Sequence, residues 1–235
     1  MNAVVLAGGK GTRLAPYTRV FPKPMMPIGD KTILEILLDQ MKRAGIVNVT
    51  LTVGHMAGLM RSFFRDGSEY NLNINYSQEK EPLGTAGPLS IVPGLVKTFM
   101  VTNGDVLTLL DMRDLIRYHK EHKGICTIAM HSRQVKIDLG VIELNRDYEV
   151  QKYIEKPTLN YKVSMGLYIF EPRVLDYIPK AQYLDFPDLV RNLIAAGERV
   201  IGYPYNGYWR DLGKPEDYEE AAADFESMRS QFVVD

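Results

Sequence analysis

The fold of this chain is best predicted from AVVLAGGKGTRL, residues 3–14. Residues 3–7 are apolar and include two adjacent valines, which is typical of a short buried strand. Three glycines follow within residues 8–11. Glycine permits a positive φ and leaves no Cβ in the way of a ligand, so successive N–H groups can bind an anion. Arg13 adds a planar cation suited to phosphate oxygens, and the segment therefore predicts a polyphosphate-binding loop after a strand.

Two well-known nucleotide-binding loops do not match this segment. A dinucleotide fold requires G-x-G-x-x-G, but Leu14 stands where the third glycine is needed. A P-loop requires G-x-x-x-x-G-K-[ST], but Gly9-Lys10 is followed by Gly11 and lacks the upstream glycine. A glycine-rich surface turn between strand and helix is the structural alternative. Because Pro22-Lys23-Pro24 supplies a second cation downstream, the segment favours a phosphate loop of a different kind.

The composition is that of an ordinary globular protein. Of the 235 residues, 46% are hydrophobic and 24% are charged, and the net charge is −1, so no overall positive field attracts nucleic acid or an anionic membrane. No apolar run reaches the length of a membrane span, and the N-terminus lacks the pattern of a signal peptide. The single cysteine, Cys126, excludes an internal disulfide and a thiolate metal cluster. We therefore expect a cytoplasmic protein that has neither nucleic acid nor a membrane as partner.

Strand and helix patterns alternate through the first half of the chain. Thr32 and Glu35 form a capping-box pattern before a helix that ends near Gly45. The remaining predicted elements of this half are strands at 47–53, 72–76 and 98–102 and helices at 56–65 and 111–122. Those of the second half are strands at 125–130, 140–144, 150–154, 162–170 and 200–203 and helices at 186–196 and 215–229.

These patterns predict an α/β fold with a Rossmann-like, mixed and mostly parallel sheet flanked by helices. The closely spaced strands of the second half predict antiparallel additions to that sheet. We expect a single domain over residues 1–235, with a nucleotide-binding half at about 1–110 and a half for the second substrate at about 111–235. The sequence leaves the oligomeric state open, a homo-oligomer included.

Two aspartates are candidate ligands for a divalent cation. Asp105 follows a predicted buried strand, where ligands bind in open α/β sheets, although a plain turn at residues 103–105 explains it equally well. Asp211 precedes Gly213 and a helix that begins with proline, so a capping or loop role is the alternative. Mg²⁺ needs only one or two carboxylates, because water and phosphate oxygens complete its shell.

The histidines offer a weaker metal site. His119 and His122 lie one helical turn apart on a charged helix that we expect to face solvent. Without converging ligands from separate segments, a zinc role is not expected.

Taken together, LAGGKGTRL at residues 6–14 and Pro22-Lys23-Pro24 resemble the signature of the sugar-1-phosphate nucleotidyltransferases, the nucleotide-sugar pyrophosphorylases. The resemblance covers nearly the whole chain and includes Asp105, a Trp-x-Asp-x-Gly-x-Pro segment around Asp211 and a Glu-Lys-Pro at residues 155–157. It implies an enzyme that uses Mg²⁺ to transfer a nucleotidyl group from a nucleoside triphosphate to a sugar 1-phosphate, with release of pyrophosphate. Longer members add a left-handed β-helix, which we do not expect in a chain of this length.

The resemblance also implies roles for individual residues. The expected catalytic residues are Arg13 on the pyrophosphate leaving group, Lys23 at the reacting phosphates and Lys156 on the sugar phosphate, and the expected metal ligands are Asp105 and Asp211. The expected nucleotide-binding residues are Leu6, Ala7, Gly8, Gly9, Gly11, Thr12, Arg13, Glu79, Glu81, Gly84 and Asp105. The expected sugar-phosphate-binding residues are Gly140, Glu155, Lys156 and Ser164. Two matches are loose, because Glu-Lys before a proline is also a common solvated turn, and Ser164-Met165-Gly166 stands where the family has Asn-Ala-Gly.

The choice of base depends on QEKEPLGTAG, residues 78–87. Guanine presents two adjacent donors that a single carboxylate, Glu79 or Glu81, can accept together. The segment resembles the loop of the mannose-1-phosphate guanylyltransferases, so we expect GTP with mannose 1-phosphate or a related sugar. Gln78 supports a glucose-1-phosphate thymidylyl- or uridylyltransferase instead, because an amide pairs with a thymine or uracil edge. A surface loop without base contact and a non-catalytic nucleotide-sensing domain of the same fold are also compatible with this segment.

Overall fold

The computed structural model describes residues 1–232, which form thirteen strands and five α-helices. The strands are β1 (Asn2–Ala7), β2 (Pro27–Ile28), β3 (Lys31–Thr32), β4 (Asn48–Val53), β5 (Asn73–Gln78), β6 (Phe99–Asn103), β7 (Val106–Thr108), β8 (Cys126–Lys136), β9 (Val141–Leu144), β10 (Val150–Ile154), β11 (Thr158–Phe170), β12 (Val200–Tyr205) and β13 (Trp209–Asp211). The helices are α1 (Ile33–Arg43), α2 (Ala57–Phe64), α3 (Met112–His122), α4 (Phe186–Ala195) and α5 (Pro215–Phe232). None of the helices in residues 1–232 is long and apolar enough to cross a membrane.

Seven of the strands form one sheet in the order β12-β8-β11-β6-β1-β4-β5. The pairs β1–β4, β1–β6, β4–β5 and β8–β12 are parallel. Strand β11 runs antiparallel to both of its neighbours, β6 and β8. The predicted mixed, mostly parallel sheet with antiparallel additions is therefore confirmed.

The order of the strands reverses at β1. Strands β4 and β5 lie on one side of β1 and β6 lies on the opposite side, and all four are parallel. The connections that leave the carboxyl ends of β1 and β6 therefore diverge and open a crevice, which is where open α/β sheets bind ligands. Residues 8–14 follow β1 and residues 104–105 follow β6, so both segments that were predicted to bind ligand lie at this crevice.

The central strands are packed on both faces. Val4 and Val5 of β1 are fully buried and belong to different hydrophobic clusters, because successive side chains of a strand point to opposite faces. Helix α1 packs in the cluster of Val5, and α4 packs in the cluster of Val4. The predicted capping box of α1 is present, with Glu35 N donating to Thr32 Oγ1 at 3.2 Å and Thr32 N donating to Glu35 Oε2 at 2.7 Å. Helices on both faces leave the strand ends as the open part of the sheet.

Strands β8 and β11 are longer than the sequence predicts. Residues 131–136 of β8 pair with residues 158–163 of β11, so β8 extends beyond its predicted end at residue 130 and β11 begins before its predicted start at residue 162. Most of the side chains in this extension are exposed, so the alternating apolar pattern that identifies a strand is missing. Strands β9 and β10 pair only with each other within the described chain. We call residues 131–163 the ribbon region.

The prediction that His119 faces solvent is wrong. His119 is 1% exposed, with Nδ1 2.8 Å from Thr127 Oγ1 and Nε2 3.0 Å from Glu171 Oε1. The charged helix around it suggested an exposed face, but these two partners, which lie in β8 and just after β11, satisfy both ring nitrogens. A histidine with both nitrogens paired can be buried at little cost.

Candidate active site

A cavity of about 420 Å³ lies at the carboxyl ends of β1, β4, β5 and β6. It is lined by Leu6, Ala7, Gly8, Gly9, Gly11, Arg13, Lys23, Pro24, Thr52, Glu79, Pro82, Gly84, Thr85, Pro88, Asn103, Asp105 and Tyr183. All of the predicted nucleotide-binding residues are in this lining except Thr12 and Glu81. The cavity therefore occupies the crevice that the strand order creates.

The three glycines after β1 serve different purposes. Gly11 has a φ of 62°, and a Cβ there would lie 2.9 Å from the Thr18 side chain. A Cβ on Gly8 would collide with the Glu79 carboxylate. Apart from Gly9 and its two chain neighbours, no heavy atom of the described residues lies within 4 Å of the place of a Gly9 Cβ, and Gly9 lines the cavity. The loop thus combines a left-handed turn, a close packing contact and a position that leaves room for a ligand.

Lys23 lies between the two predicted metal ligands. Its Nζ contacts Asp105 Oδ2 directly and lies 3.9 Å from Asp211 Oδ1, and its side chain is only 11% exposed. Burial and the charge of Asp105 raise the pKa of Asp211 above its ordinary value, although Lys23 and Arg13 act in the opposite direction. Two carboxylates therefore converge on a single, largely buried ammonium.

Strand pairing explains how two aspartates so distant in sequence meet. Strand β13 pairs antiparallel with β7, and this register places Asp211 opposite Val106. Val106 directly follows Asp105, so the two carboxylates are brought to the same end of the crevice. This two-stranded sheet is separate from the main sheet, and its strands are too short to be recognised from an alternating pattern.

Arg13 lies where the phosphate loop meets the segment after β13. A second cavity of about 190 Å³ is lined by Gly11, Thr12, Arg13, Leu14, Lys23 and Gly213. A Cβ on Gly213 would lie 3.6 Å from both Arg13 Nη1 and Asp211 Oδ2. The predicted residue Thr12 thus lines this smaller cavity, on the same loop that borders the main one.

The main cavity is also lined by the segment that was predicted to read the base. Glu79 lines the cavity, and its Oε2 accepts a hydrogen bond of 2.7 Å from Leu83 N. Gly84, which has a φ of 76°, lines it as well. Gln78 and Glu81 are both exposed and lie outside the lining. Of the three residues that were predicted to contact the base, Glu79 therefore lines the cavity, and Gln78 and Glu81 do not.

The predicted sugar-phosphate residues lie outside the lining of the main cavity, in or beside the ribbon region. Tyr153 joins two of them, because its hydroxyl donates to Glu155 Oε2 at 3.2 Å and occupies the place that a Cβ on Gly140 would need. Lys156 is exposed and has a φ of 44°. Glu155, Lys156 and Gly140 are thus grouped on the ribbon region, and most of the predicted nucleotide-binding residues are grouped at the crevice.

Ser164 lies in a bulge where β11 enters the main sheet. The pairing of β11 with β8 shifts register between Ser164 and Tyr168, and the two hydroxyl oxygens are 3.0 Å apart. Gly166 in this bulge has a φ of 75°, and a Cβ there would lie 2.7 Å from Asn103 Nδ2. Because Asn103 lines the main cavity, the bulge is the point at which the ribbon region meets the crevice.

Seven lining residues were not among the predicted site residues: Pro24, Thr52, Pro82, Thr85, Pro88, Asn103 and Tyr183. Thr52 and Asn103 lie at the carboxyl ends of β4 and β6, so the position of a strand end was a signal that could have identified them. Tyr183 follows a short turn far from any glycine motif. Its place in the cavity depends on tertiary contacts, so no local pattern could have identified it.

The mixed sheet makes this an α/β protein. A glycine loop, two carboxylates and two cations lie at the crevice where the strand order reverses, and this arrangement suits a phosphorylated ligand. The profile of a family described as nucleotidyl transferase matches residues 2–228. The chain therefore belongs to the nucleotidyl transferase family of enzymes, in agreement with the resemblance of its motifs.

Relatives in this family differ in their named substrates. The chain is 34% identical to a UTP–glucose-1-phosphate uridylyltransferase of Synechocystis over 94% of its length, and 35% identical to a mannose-1-phosphate guanylyltransferase of Mycobacterium tuberculosis over 95% of its length. It spans 62% and 64% of these two relatives, a little under two thirds of their length. A Bacillus anthracis crystal structure described as a glucose-1-phosphate thymidylyltransferase superposes with a TM-score of 0.77 at 23% identity, covering 95% of this chain and 94% of that chain, and supports the fold alone.

Proposed function

We propose that this protein transfers a nucleotidyl group from a nucleoside triphosphate to a sugar 1-phosphate in an Mg²⁺-dependent reaction, giving a nucleoside diphosphate sugar and pyrophosphate. The observation that carries the proposal is the Lys23 ammonium held between Asp105 and Asp211 beside the glycine loop. The names of the two curated relatives, each of which pairs a nucleotide with a sugar 1-phosphate, support the same reaction class.

The donor set at the crevice fits Mg²⁺. Asp105 and Asp211 would hold the ion through hard carboxylate oxygens, which are the ligands it prefers. No group of three or more His, Cys, Asp or Glu side chains in residues 1–232 is placed to hold a metal, but Mg²⁺ with a phosphate ligand needs only two carboxylates. When bound, the ion would supply positive charge to the phosphates.

The reaction requires no protein nucleophile. An oxygen of the sugar phosphate forms a bond to the α-phosphorus, and the bond from the α-phosphorus to the α,β-bridging oxygen breaks, with its electron pair leaving on pyrophosphate. The side chains of this chain would therefore act through positioning and charge. Arg13 would bind the leaving pyrophosphate, Lys23 the phosphates at the reacting centre and Lys156 the attacking sugar phosphate.

The proposal extends to a division of labour between the halves of the chain. Residues at about 1–110 would bind the nucleotide, and residues at about 111–235 would bind the sugar phosphate, with Gly140, Glu155 and Ser164 near the sugar. Asp211 is the exception, since it belongs to the second half but lies with Asp105 at the crevice.

For the base we propose guanine, with mannose 1-phosphate or a related sugar as acceptor. Glu79 carries this choice, because its carboxylate is at the cavity and can accept from two adjacent donors of guanine. The exposed position of Gln78 outside the cavity lining weakens the case for thymine or uracil.

The test is pyrophosphate release from ATP, GTP, UTP and dTTP, each paired with mannose 1-phosphate and with glucose 1-phosphate, at saturating Mg²⁺. We expect the highest kcat/KM for GTP with mannose 1-phosphate. A preference for dTTP or UTP would exclude guanine and leave the reaction class in place. Nucleotide binding without pyrophosphate release from any pair would instead favour a nucleotide-sensing domain.

A further inference from the structure

We call Glu79, Gly84 and Thr85, which line the cavity, the base end of the cavity. A segment about a hundred residues later in the chain binds this base end through hydrogen bonds. Asp185 Oδ1 accepts hydrogen bonds from Thr85 N at 2.9 Å and from Thr85 Oγ1 at 3.0 Å. Asp185 Oδ2 accepts one from the Tyr183 hydroxyl at 2.6 Å. Thr85 and Tyr183 both line the cavity, so Asp185 connects two lining residues that are far apart in sequence.

Thr85 takes the place of Asp185 as the side-chain cap of α4. Asp185 is the N-cap residue of α4, but its side chain does not cap that helix. Instead the Thr85 hydroxyl accepts a hydrogen bond of 2.8 Å from Phe186 N, the first N–H of α4. An aspartate at an N-cap ordinarily binds its own helix, so this one has been diverted to hold the loop of Thr85.

Backbone contacts fix the same loop closely. Leu184 O accepts from Ala86 N at 2.8 Å and from Gly87 N at 3.0 Å. A Cβ on Gly84 would lie 2.7 Å from Leu184 O and 2.9 Å from Asp185 Oδ1. Because Gly84 lines the cavity with its backbone, its position relative to a bound base depends on this contact.

The electrostatics agree with a fixed, ionised carboxylate. The hydrogen bonds from the Tyr183 hydroxyl and from Thr85 hold the pKa of Asp185 below its ordinary value. The Tyr183 side chain is 64% exposed, so few packing contacts fix its ring, and its hydroxyl bond to Asp185 sets where the ring lies.

We propose that Asp185 is a positioning residue for nucleobase binding: it holds the loop of Gly84 and Thr85 and the ring of Tyr183 in the arrangement that receives the base. The inference rests on the proposed function, because it assumes that the base end of the cavity binds the base of the nucleoside triphosphate. Nucleobase selection then depends on a residue of the second half of the chain, and Asp185 itself need not touch the ligand.

Equilibrium binding separates this role from a general loss of structure. The probes are Mg²⁺ complexes of GTP, dTTP and inorganic triphosphate, which has no base. In Asp185→Ala we expect nucleotide affinity to fall about tenfold or more, since up to three hydrogen bonds to a charged group are lost. Inorganic triphosphate should bind as in the wild type, because the hydrogen bonds of Asp185 go to Thr85 and Tyr183, which are separate from the proposed phosphate contacts Arg13 and Lys23.

Two further variants keep the test decisive if Asp185→Ala folds poorly. Asp185→Asn retains an oxygen for Thr85 and should restore most of the nucleotide affinity. Tyr183→Phe keeps the ring but removes its bond to Asp185, and should weaken nucleotide binding by a few-fold, about the value of one hydrogen bond. The matched control is Tyr177→Phe, because Tyr177 donates to Glu198 Oε1 at 2.8 Å outside the cavity lining. This variant should bind both the nucleotides and inorganic triphosphate as the wild type does.

The positioning role and the proposed function fail on different results. Unchanged nucleotide affinity in Asp185→Ala and Tyr183→Phe, or an equal loss for nucleotide and inorganic triphosphate, would overturn the positioning role. A wild type that binds nucleotides without turning over any sugar phosphate would overturn the proposed function alone. A wild type that binds no nucleotide would overturn both.

Discussion

The crevice and the ribbon region are built in contrasting ways. At the crevice, Lys23 is 11% exposed and contacts Asp105, and Gly11 is packed against the buried Thr18. On the ribbon region, Lys156 is exposed and Tyr153 is 62% exposed. The residues proposed for the nucleotide are thus held by the fold before any ligand arrives, whereas Gly140, Glu155 and Lys156, which are proposed for the sugar phosphate, lie beside the two-stranded pair of β9 and β10.

Sheet topology is the cause of this difference. Four parallel strands end side by side at the crevice and are packed by helices on both faces, so each loop is held by several neighbours. A two-stranded ribbon has few neighbours and little stability of its own. We infer that a substitution at the crevice lowers activity and, where it disturbs packing, stability as well, whereas a substitution on the ribbon region weakens the binding of one substrate.

The largest expected effect is at the crevice. Asp105→Asn keeps the size of the side chain but removes a charge that faces Lys23 and the proposed metal ion. We expect kcat to fall by about a hundredfold or more with the fold intact, because charge stabilisation at the reacting phosphates is lost. Turnover at saturating Mg²⁺ measures this effect, and circular dichroism checks the fold.

Asp176→Asn is the matched control, since Asp176 is exposed and lies outside both cavities of the site. Near-normal turnover of Asp105→Asn would remove Asp105 from the metal site. It would also break the contrast between the two regions.

The next effect separates the two substrates. Lys156→Ala should raise the KM for the sugar phosphate by about tenfold and leave the KM for the triphosphate unchanged, because a contact made in both ground and transition states appears in KM. Arg13→Ala should show the reverse pattern. Lys152→Ala is the control, because Lys152 lies on the same ribbon and contacts Glu143. If Lys156→Ala behaved like Lys152→Ala, Glu155 and Lys156 would be a solvated turn.

A smaller effect concerns the base. We expect Glu79→Gln to narrow the preference for GTP over dTTP by several-fold, because a neutral amide accepts less strongly than a carboxylate from the two guanine donors. Glu81→Gln, in an exposed residue outside the cavity, should leave that preference as it is. The ratio of kcat/KM for the two triphosphates measures the change. Equal effects of the two substitutions would mean that the position of Glu79 at the cavity does not matter for base choice.

The sequence predicts those features of the structure that are determined by residues close together in the chain. The strand before the glycine loop, the capping box of Thr32 and Glu35, and the placement of Asp105 after a buried strand all follow from nearby residues. The extension of β8 and β11 does not, because exposed side chains on both faces remove the periodicity. His119 was misjudged for a related reason, since its partners Thr127 and Glu171 come from separate elements.

The candidate site divides along the same line. The motifs identified Arg13, Lys23 and Asp105, and the structure groups them, because the long connection after β1 carries Arg13 and Lys23 and meets Asp105 just past the end of β6. No local signal indicated that Tyr183 borders the cavity or that Asp185 holds its loop, since those contacts join segments about a hundred residues apart. Glu79 and Glu81 were equivalent in sequence, and only the path of the backbone separates them.

The smallest expected effect compares one glycine from each region. Gly11→Ala forces an alanine into a φ of 62° with its Cβ 2.9 Å from Thr18, so we expect a loss of about 1–2 kcal/mol in the free energy of unfolding. For a chain of this size that is about 2–8 °C in Tm. Gly140→Ala also meets a neighbour, but that neighbour is the hydroxyl end of the exposed Tyr153 side chain, which can rotate away. We expect a change within about 0.5 kcal/mol there, as is usual for surface positions. Thermal unfolding of the two variants measures the difference, and an equal loss in both would mean that the ribbon region is as firmly built as the crevice.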